Sequence, residues 1–380
     1  MIRLRIAWLQ PNLHWTGGAR VAVELGRRLN ERGHAVTILT PRGRVKMPIP
    51  SGLEVRECGM RTAHPLAAVF TGLAGMAVNL PKVDVLIASM PPLALAAFWL
   101  ARMHGARSVN YLLGDDVHIF DDGVYIKQRG LRAAYRMIAR SALRTGPVIV
   151  NSHWTAVRCM NEGGPRPLAI IPSGFDPNIF FPLESTVHSH EGGSGRPALP
   201  RPRDSHWRLV AVARHLPAKG LPDLIAGLNL IDQLRYPFKI KIISQDQLEL
   251  SAARFPWEII KPSSDEELAG HYRWGEIFVH ASWAEGFGLP PLEAQACGLA
   301  VVATDSGGVC EYLRDEENAL IISPREPASI ARAIVRFMKD DSLARRLIDR
   351  GLKTCQDFTW DQAAIKMERF LLDFAPRRIP

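Results

Sequence analysis

The chain of 380 residues contains few cysteines, and they lie far apart. There are five of them, an odd number, and none forms a C-x-x-C pair. This spacing excludes a disulfide framework and a cysteine-based zinc site. A reducing compartment such as the cytoplasm is the location that this cysteine usage favours.

The sequence also lacks a long uninterrupted apolar run. The most hydrophobic window, 83–101, contains Asp84 and is broken by Pro91 and Pro92. It therefore predicts a buried strand, a turn and a helix rather than a membrane-spanning helix. The chain opens directly on a strand-like run at 3–10, so we expect no signal peptide.

Motifs of several enzyme classes are missing. The 12 histidines form no H-E-x-x-H or other ligand spacing, so we expect no bound metal. The region after the first strand has only Gly17-Gly18, not the G-x-G-x-x-G of a nicotinamide-dependent dehydrogenase. The string at 305–308 is familiar from serine proteases, but it falls on a strand-to-helix turn, and geometry rather than a string makes a catalytic triad.

What the chain does have is enough apolar sequence for two cores. Hydrophobic residues make up 47% and charged residues 22%, and at about 150 residues per domain the length predicts two domains. A stretch rich in Gly, Pro, Ser and His at 183–207 has no apolar period and predicts a linker. We expect an N-terminal domain at 1–182, a C-terminal domain at 208–358 and a last helix at 359–380.

Short apolar runs alternate with amphipathic stretches on both sides of this linker. The pattern is typical of βα units around a parallel sheet and predicts an α/β fold with two similar domains. The predicted strands lie at 5–9, 35–40, 83–88, 108–113, 148–151, 208–213, 239–244, 258–260, 277–281, 300–304 and 319–322.

Charged residues and glycines follow three of the second group of strands. Arg214 and Lys219 lie on one predicted loop, a pair that suits a diphosphate. Glu285 lies on a second loop and Glu293 in the first turn of the helix after it, while the residues at 305–308 form a third small-residue turn. Ligands bind beyond the carboxyl ends of parallel strands, so we expect these loops to form one site.

The series Arg214…Lys219 and Glu285-x7-Glu293, within EGFGLPPLEAQACG, resembles the donor site of the family 4 retaining glycosyltransferases. In the first half, HWTGGARVAVELGRRLNERGHAVTILT resembles the first loop and helix of the same family. The resemblance covers most of the chain. It implies the GT-B fold, in which two Rossmann-like domains have parallel sheets facing across a cleft, with the last helix crossing back to the N-terminal domain.

The resemblance also implies roles for individual residues. Arg214, Lys219 and Glu285 would be catalytic: the two cations neutralise the leaving diphosphate, and Glu285 holds the transferred sugar. Glu293 would hold the ribose hydroxyls. The other donor-binding residues that the resemblance implies are Gly286, Phe287, Gly288, Leu289, Gly17 and Gly18.

The resemblance implies a reaction that retains anomeric configuration and uses no cofactor beyond the nucleotide-diphosphate sugar itself. The chain contains no D-x-D, the spacing with which metal-dependent transferases of the other major fold hold a divalent ion. Fixed cations can stabilise the same leaving charge, so we expect activity without metal. We expect a UDP- or GDP-linked sugar as donor, and a glycan, lipid-linked saccharide or small molecule as acceptor.

The acceptor side departs from the family pattern. Where family members often carry a His-Asp pair, this chain reads Gly114-Asp115-Asp116, with His118 slightly later. Asp115 and Asp116 could bind acceptor hydroxyls, or they could be exposed loop carboxylates.

Charge is distributed unevenly along the chain. Residues 1–180 carry 22 Lys and Arg against 11 Asp and Glu, whereas 181–380 carry 25 against 27. A stripe of arginines at four-residue spacing, Arg132, Arg136, Arg140 and Arg144, falls on one helical face. This face could contact an anionic membrane, giving a cytoplasmic protein peripheral on the inner face of the plasma membrane, or it could simply be solvated.

Two other functions stay open from the sequence alone. A sugar-nucleotide epimerase of the same fold would keep the nucleotide site and need no acceptor. A non-enzymatic binding protein could use the basic N-terminal half, although the aromatic-basic pattern and helix-turn-helix of nucleic-acid binders are missing, so we expect no nucleic-acid partner.

Overall fold

Two parallel sheets, each covered by helices, make up the protein in this computed structural model, which describes residues 2–60, 65–183 and 206–376. The chain divides into an N-terminal unit, Met1–Ser173 with Trp360–Pro380, and a C-terminal unit, Gly174–Thr359. The first boundary thus precedes the expected end of the first domain at residue 182. The predicted linker at 183–207 lies almost wholly outside the described residues, and Trp207 already belongs to a strand.

The N-terminal sheet contains six strands in the order β3-β2-β1-β4-β5-β6, all parallel. They are β1 Arg5–Leu9, β2 Ala35–Pro41, β3 Glu54–Cys58, β4 Val85–Ala88, β5 Arg107–Leu112 and β6 Val148–Val150. The four residues of β4 are all buried because helices cover both faces of the sheet, as expected for parallel strands.

The C-terminal sheet repeats this arrangement. Its order is β12-β11-β10-β7-β8-β9, again fully parallel. The strands are β7 Trp207–Val212, β8 Phe238–Ile243, β9 Trp257–Ile260, β10 Ile277–His280, β11 Ala300–Thr304 and β12 Leu320–Ile322. Counted from its first strand, this is the same order as in the N-terminal sheet. Both are Rossmann-like, which confirms the predicted α/β class with two similar domains.

Helices connect the strands in both units. The N-terminal unit contains α1 Gly17–Glu31, α2 Pro65–Asn79, α3 Pro91–His104, α4 Arg129–Thr145, α5 His153–Asn161 and α11 Trp360–Phe374. The C-terminal unit contains α6 Leu221–Gln233, α7 Asp265–Trp274, α8 Leu289–Ala296, α9 Pro327–Lys339 and α10 Asp341–Cys355, with 3₁₀ turns at Pro217–Lys219 and Gly308–Glu311. Among the residues that the structure describes, no helix is both long and apolar enough to cross a membrane.

Helix α11 packs against α1 through charged pairs. Arg28 Nε lies 2.9 Å from Asp361 Oδ1, and Arg32 Nε lies 2.7 Å from Glu368 Oε2. The other Glu368 oxygen lies 3.0 Å from His34 Nε2. These contacts place the last helix in the N-terminal unit.

One local prediction was incomplete. Strand β3 was missed because its sequence EVREC is rich in charge, a composition that an edge strand tolerates. Helix α1 begins at Gly17, because the Thr16 side chain caps it and accepts a hydrogen bond from the Ala19 amide. Gly17 and Gly18 therefore form the first turn of a helix and not a loop.

Candidate active site

The order of strands in the C-terminal sheet identifies where a ligand is best placed. Strands β7 and β10 are neighbours, and the chain continues from them toward opposite edges of the sheet. In open parallel sheets this reversal leaves a crevice at the carboxyl ends of the two strands, where ligands bind. The loop after β7 carries Arg214 and Lys219, and the loop after β10 carries Glu285.

The backbones of these two loops touch at Gly220. This residue has a φ of +66° and follows the 3₁₀ turn that contains Lys219. A Cβ atom added there would lie 1.9 Å from the carbonyl oxygen of Ala281, so only glycine fits. The Trp283 amide also donates to the Ala218 carbonyl at 2.7 Å. Lys219 and the residues after β10 are thereby fixed side by side.

Lys219 and Glu285 form an ion pair within this contact. Lys219 Nζ lies 2.7 Å from Glu285 Oε1, and the Glu285 side chain is only 15% exposed. Burial raises the pKa of Glu285, but the charge and hydrogen bond of Lys219, together with a hydrogen bond from Ser282, outweigh it and lower the pKa overall. Glu285 is therefore an ionised carboxylate at neutral pH.

Arg214 is held by a residue that the sequence analysis missed. Its Nε lies 2.6 Å from Asp246 Oδ2, and the same oxygen accepts the His215 amide at 3.1 Å. Burial raises the pKa of Asp246, but its bonds to Arg214 and His215 reverse this and lower it to about 2. Asp246 lies beyond β8, and an acid directly after a buried strand is the signal that could have identified it.

The predicted third loop meets the second. The Glu285 amide donates to the Ser306 carbonyl at 2.8 Å, and the Gly308 amide donates to the Glu285 carbonyl at 2.9 Å. A Cβ atom on Gly308 would lie 2.1 Å from the Gly286 carbonyl oxygen. The structure thus brings the three predicted loops together, although the third opens a short 3₁₀ turn rather than an α-helix.

Residues 286–289 lead from this contact into helix α8. Gly288 has a φ of +85°, and its carbonyl accepts a hydrogen bond from the Tyr312 hydroxyl. The Phe287 ring is buried against Tyr312 and Phe358, with centroid distances of 5.3 and 6.0 Å. Leu289, the first residue of α8, is also buried. The side chains of Phe287 and Leu289 therefore serve the core, which leaves their backbone for any ligand.

Glu293 lies in the second turn of α8 and not in the first as expected, because the helix begins at Leu289, and it is closed off from solvent. The residue is 1% exposed, and its Oε2 accepts a hydrogen bond from the Tyr272 hydroxyl at 3.2 Å. Its contact with a ribose stays a prediction.

The residues predicted on the N-terminal side have other partners. The Gly18 carbonyl accepts a hydrogen bond from Gln10 Nε2 at 2.9 Å. Asp115 accepts one from Arg158 Nε at 2.8 Å. Asp116 Oδ2 is buried and has no hydrogen-bond partner among the described residues. Burial, with a smaller effect of Asp115, raises the pKa of Asp116 to about 8, so this side chain is a neutral acid at pH 7.

His118 has a carboxylate acceptor at each ring nitrogen, Asp121 at 2.6 Å and Glu162 at 2.9 Å. It is therefore fully occupied by its neighbours. In the described part of the chain, no group of three or more His, Cys, Asp or Glu side chains has an arrangement that could hold a metal ion.

Two family models match the chain over consecutive regions. A "Glycosyl transferase 4-like domain" matches residues 16–174, and "Glycosyl transferases group 1" matches residues 200–354. A D-inositol 3-phosphate glycosyltransferase from Streptomyces bingchenggensis is 37% identical over 57% of this chain, and the match spans 50% of that relative's length. One from Geodermatophilus obscurus is 27% identical over 93% of this chain and 84% of the relative.

Solved structures share the fold over nearly the whole chain. Sucrose-phosphate synthase from Thermosynechococcus elongatus superposes with a TM-score of 0.79 at 18% identity, covering 98% of this chain and 99% of that one. Anabaena HepE in complex with UDP-glucose superposes with a TM-score of 0.73 at 16% identity, covering 98% and 100%. With both family models matched along the chain and the strand orders described above, this protein belongs to the family 4 type of glycosyltransferases with the GT-B fold.

Proposed function

We propose that this protein is a retaining, metal-independent glycosyltransferase that moves a sugar from a nucleoside diphosphate to a hydroxyl of an acceptor. The observation that carries the proposal is the Lys219–Glu285 ion pair at the switch point of the C-terminal sheet, with Arg214 on the lysine's loop. A cation beside a carboxylate matches the two parts of such a donor. The cation suits the diphosphate, and the carboxylate accepts sugar hydroxyls.

The chemistry breaks the bond between the anomeric carbon and a diphosphate oxygen. Negative charge grows on the departing diphosphate, and cations that are already in place stabilise it without having to reorganise. Asp246 holds Arg214 and the Gly220 turn holds Lys219, so both cations are positioned by the fold. In the retaining reaction the acceptor attacks from the face that the phosphate leaves, and the phosphate takes the acceptor proton.

For the donor we propose a UDP- or GDP-linked sugar. The complex of HepE with UDP-glucose supports UDP, because that protein has the same fold over its whole length. For the acceptor we propose a hydroxyl on a glycan, a lipid-linked saccharide or a small molecule, with the neutral carboxyl of Asp116 as one contact. A role in cell-surface polysaccharide synthesis in the cytoplasm fits these substrates.

The test begins with a thermal-shift screen of UDP, GDP and their sugars, since a bound ligand raises the unfolding midpoint. The best donor is then incubated with and without acceptor alcohols, and the anomeric configuration of the product is read by NMR. We expect a retained linkage, formed in the presence of a chelator. Turnover that stops in chelator and returns with manganese would contradict metal independence. Consumption of donor without acceptor would instead indicate the epimerase.

We also propose a peripheral contact between helix α4 and an anionic membrane. Leu131 and Ile138 are exposed on this helix beside its arginines. Part of the basic face is neutralised, since Arg136 contacts Asp121 at 3.1 Å and Arg140 contacts Glu162 at 2.8 Å.

Liposome sedimentation tests the membrane proposal. We expect the protein to sediment with vesicles containing acidic lipid and to stay in solution with neutral ones. Charge reversal of Arg132, Arg136 and Arg140 together is expected to abolish the difference. Equal sedimentation of wild type and variant would show that α4 is a solvated face.

A further inference from the structure

His280 is a buried histidine at the carboxyl end of β10, and the mechanism above does not use it. The residue is 2% exposed, and neither ring nitrogen has a hydrogen-bond partner among the described residues. Its Nε2 lies 3.7 Å from Glu285 Oε1, the oxygen that accepts the Lys219 ammonium at 2.7 Å. Lys219 and His280 therefore flank one carboxylate oxygen. Lys219 is hydrogen-bonded to it, and His280 lies slightly beyond hydrogen-bond distance.

The imidazole is neutral in this state. Burial lowers the pKa of His280 to about 4; Lys219 adds to the lowering, whereas Glu285 opposes it. A neutral imidazole carries one N–H donor and one acceptor. While Lys219 donates to Glu285, the N–H group of His280 makes no hydrogen bond.

The arrival of a diphosphate changes this balance. On the proposed function, Lys219 turns its charge toward the diphosphate when the donor binds, before the bond to the anomeric carbon breaks, so the ammonium leaves Glu285. A largely buried carboxylate that loses its cation is strongly destabilised unless another donor replaces it. His280 Nε2 lies near the same oxygen, and in the tautomer that carries its hydrogen on Nε2 a shift of well under 1 Å brings this donor within bonding distance.

We propose that His280 is a positioning residue that replaces Lys219 as the partner of Glu285 when the donor diphosphate binds. This partner exchange rests on the proposed function. It keeps Glu285 ionised and correctly oriented toward the sugar while Lys219 acts on the leaving group. His280 does not touch the reacting atoms and acts through Glu285.

The first experiment needs no ligand and mimics the loss of the lysine by mutation. Thermal unfolding is measured for wild type, His280→Phe, Lys219→Met and the double variant. We expect His280→Phe to lower Tm by about 3 °C more in the Lys219→Met background than in wild type, because only there does Glu285 lack its cation and depend on His280 in addition to Ser282. The control is His280→Gln, which keeps an N–H donor and should show no such coupling. If His280→Phe does not fold, His280→Leu takes its place.

The second experiment measures UDP binding by calorimetry. We expect His280→Phe to weaken UDP binding about tenfold when Glu285 is present, which is the loss of one charge-assisted hydrogen bond, and to change it little in a Glu285→Gln background. His280→Gln should restore binding.

Equal weakening in both backgrounds, or equal Tm shifts in the first experiment, would show that His280 only packs and would overturn the partner exchange. A wild-type protein that binds neither UDP nor GDP would overturn the proposed function itself. Binding of UDP without coupling would overturn the exchange alone.

Discussion

The two sheets of this protein share one strand order but carry different chemistry at their switch points. In the C-terminal unit, the loops after β7 and β10 hold Arg214, Lys219 and Glu285. In the N-terminal unit, the equivalent loops, 10–16 after β1 and 89–90 after β4, contain no Lys, Arg, Asp or Glu. The fold sets where a ligand can bind, and the loop residues set which ligand it is.

Hydrogen bonds within the N-terminal unit hold its neutral loops in place. Ser89 Oγ accepts from Trp8 Nε1 at 2.8 Å, and Gln10 donates to the Gly18 carbonyl. Burial, aided by the charges of Lys46 and Arg44, lowers the pKa of His14 and keeps it uncharged at neutral pH. Such a surface offers dipoles to a neutral, hydroxylated molecule, whereas the charged loops of the other unit suit a diphosphate.

Removing Lys219 is expected to have the largest effect on the charged site of the C-terminal unit. Lys219→Ala takes away a cation whose interaction with the leaving group grows in the transition state. We expect kcat to fall about 10²- to 10³-fold. Lys353→Ala is the matched control, because this lysine is exposed on α10 of the same unit. Unchanged kcat in Lys219→Ala would remove the central support of the proposed function.

The loop contact in the C-terminal unit is the next target. Gly220→Ala places a Cβ against the Ala281 carbonyl in a left-handed backbone conformation, so we expect the free energy of unfolding to fall by about 2 kcal/mol. Gly270→Ala is the control, since nothing lies within 4 Å of its added Cβ in α7. That change should stabilise the protein, as alanine favours a helix. Denaturant unfolding measures both, and the opposite ranking would contradict the geometry.

The Arg214–Asp246 pair predicts a smaller, pH-dependent effect. The pKa of Asp246 in the folded protein is about 2, below its unfolded value, so the pair stabilises the fold above about pH 4 and loses this contribution as pH falls toward 2. Asp246→Asn should therefore cost about 1 kcal/mol at neutral pH, a figure reduced by solvent screening. The difference from wild type should shrink as pH falls below about 4 and vanish only below pH 2. An equal difference in stability at neutral pH and at low pH would show that Asp246→Asn acts through packing and not through the ion pair.

The smallest expected change in stability is at Gly18 in the N-terminal unit. A Cβ atom added there meets only Leu113 Cδ1 at 3.4 Å, an ordinary contact in the first turn of α1. Gly18→Ala should shift the free energy of unfolding by less than about 0.5 kcal/mol. A loss of activity at unchanged stability would show that a substrate approaches this backbone, as the family resemblance implies. Unchanged activity would confine the donor site to the C-terminal unit.

Much of the site was visible in the chain because its residues follow strands. Apolar runs marked β7 and β10, and the parallel-sheet rule then placed Arg214, Lys219 and Glu285 at the carboxyl ends of strands. The sequence did not identify His280 or Asp246 as site residues, and the reasons are opposite. His280 is the last residue of a buried strand and reads as part of the core, while Asp246 reads as a loop acid among many.

The amino-acid sequence by itself determined the α/β class, the positions of nearly all strands and the spacing of Glu285 and Glu293, because hydrophobic periodicity and turn residues act over a few neighbouring positions. Only the tertiary structure decided which loops meet. Lys219 and Glu285 are 66 positions apart, and their contact depends on β7 and β10 being neighbours in the sheet. That neighbour relation arises from packing of whole strands, and no local pattern in the chain encodes it.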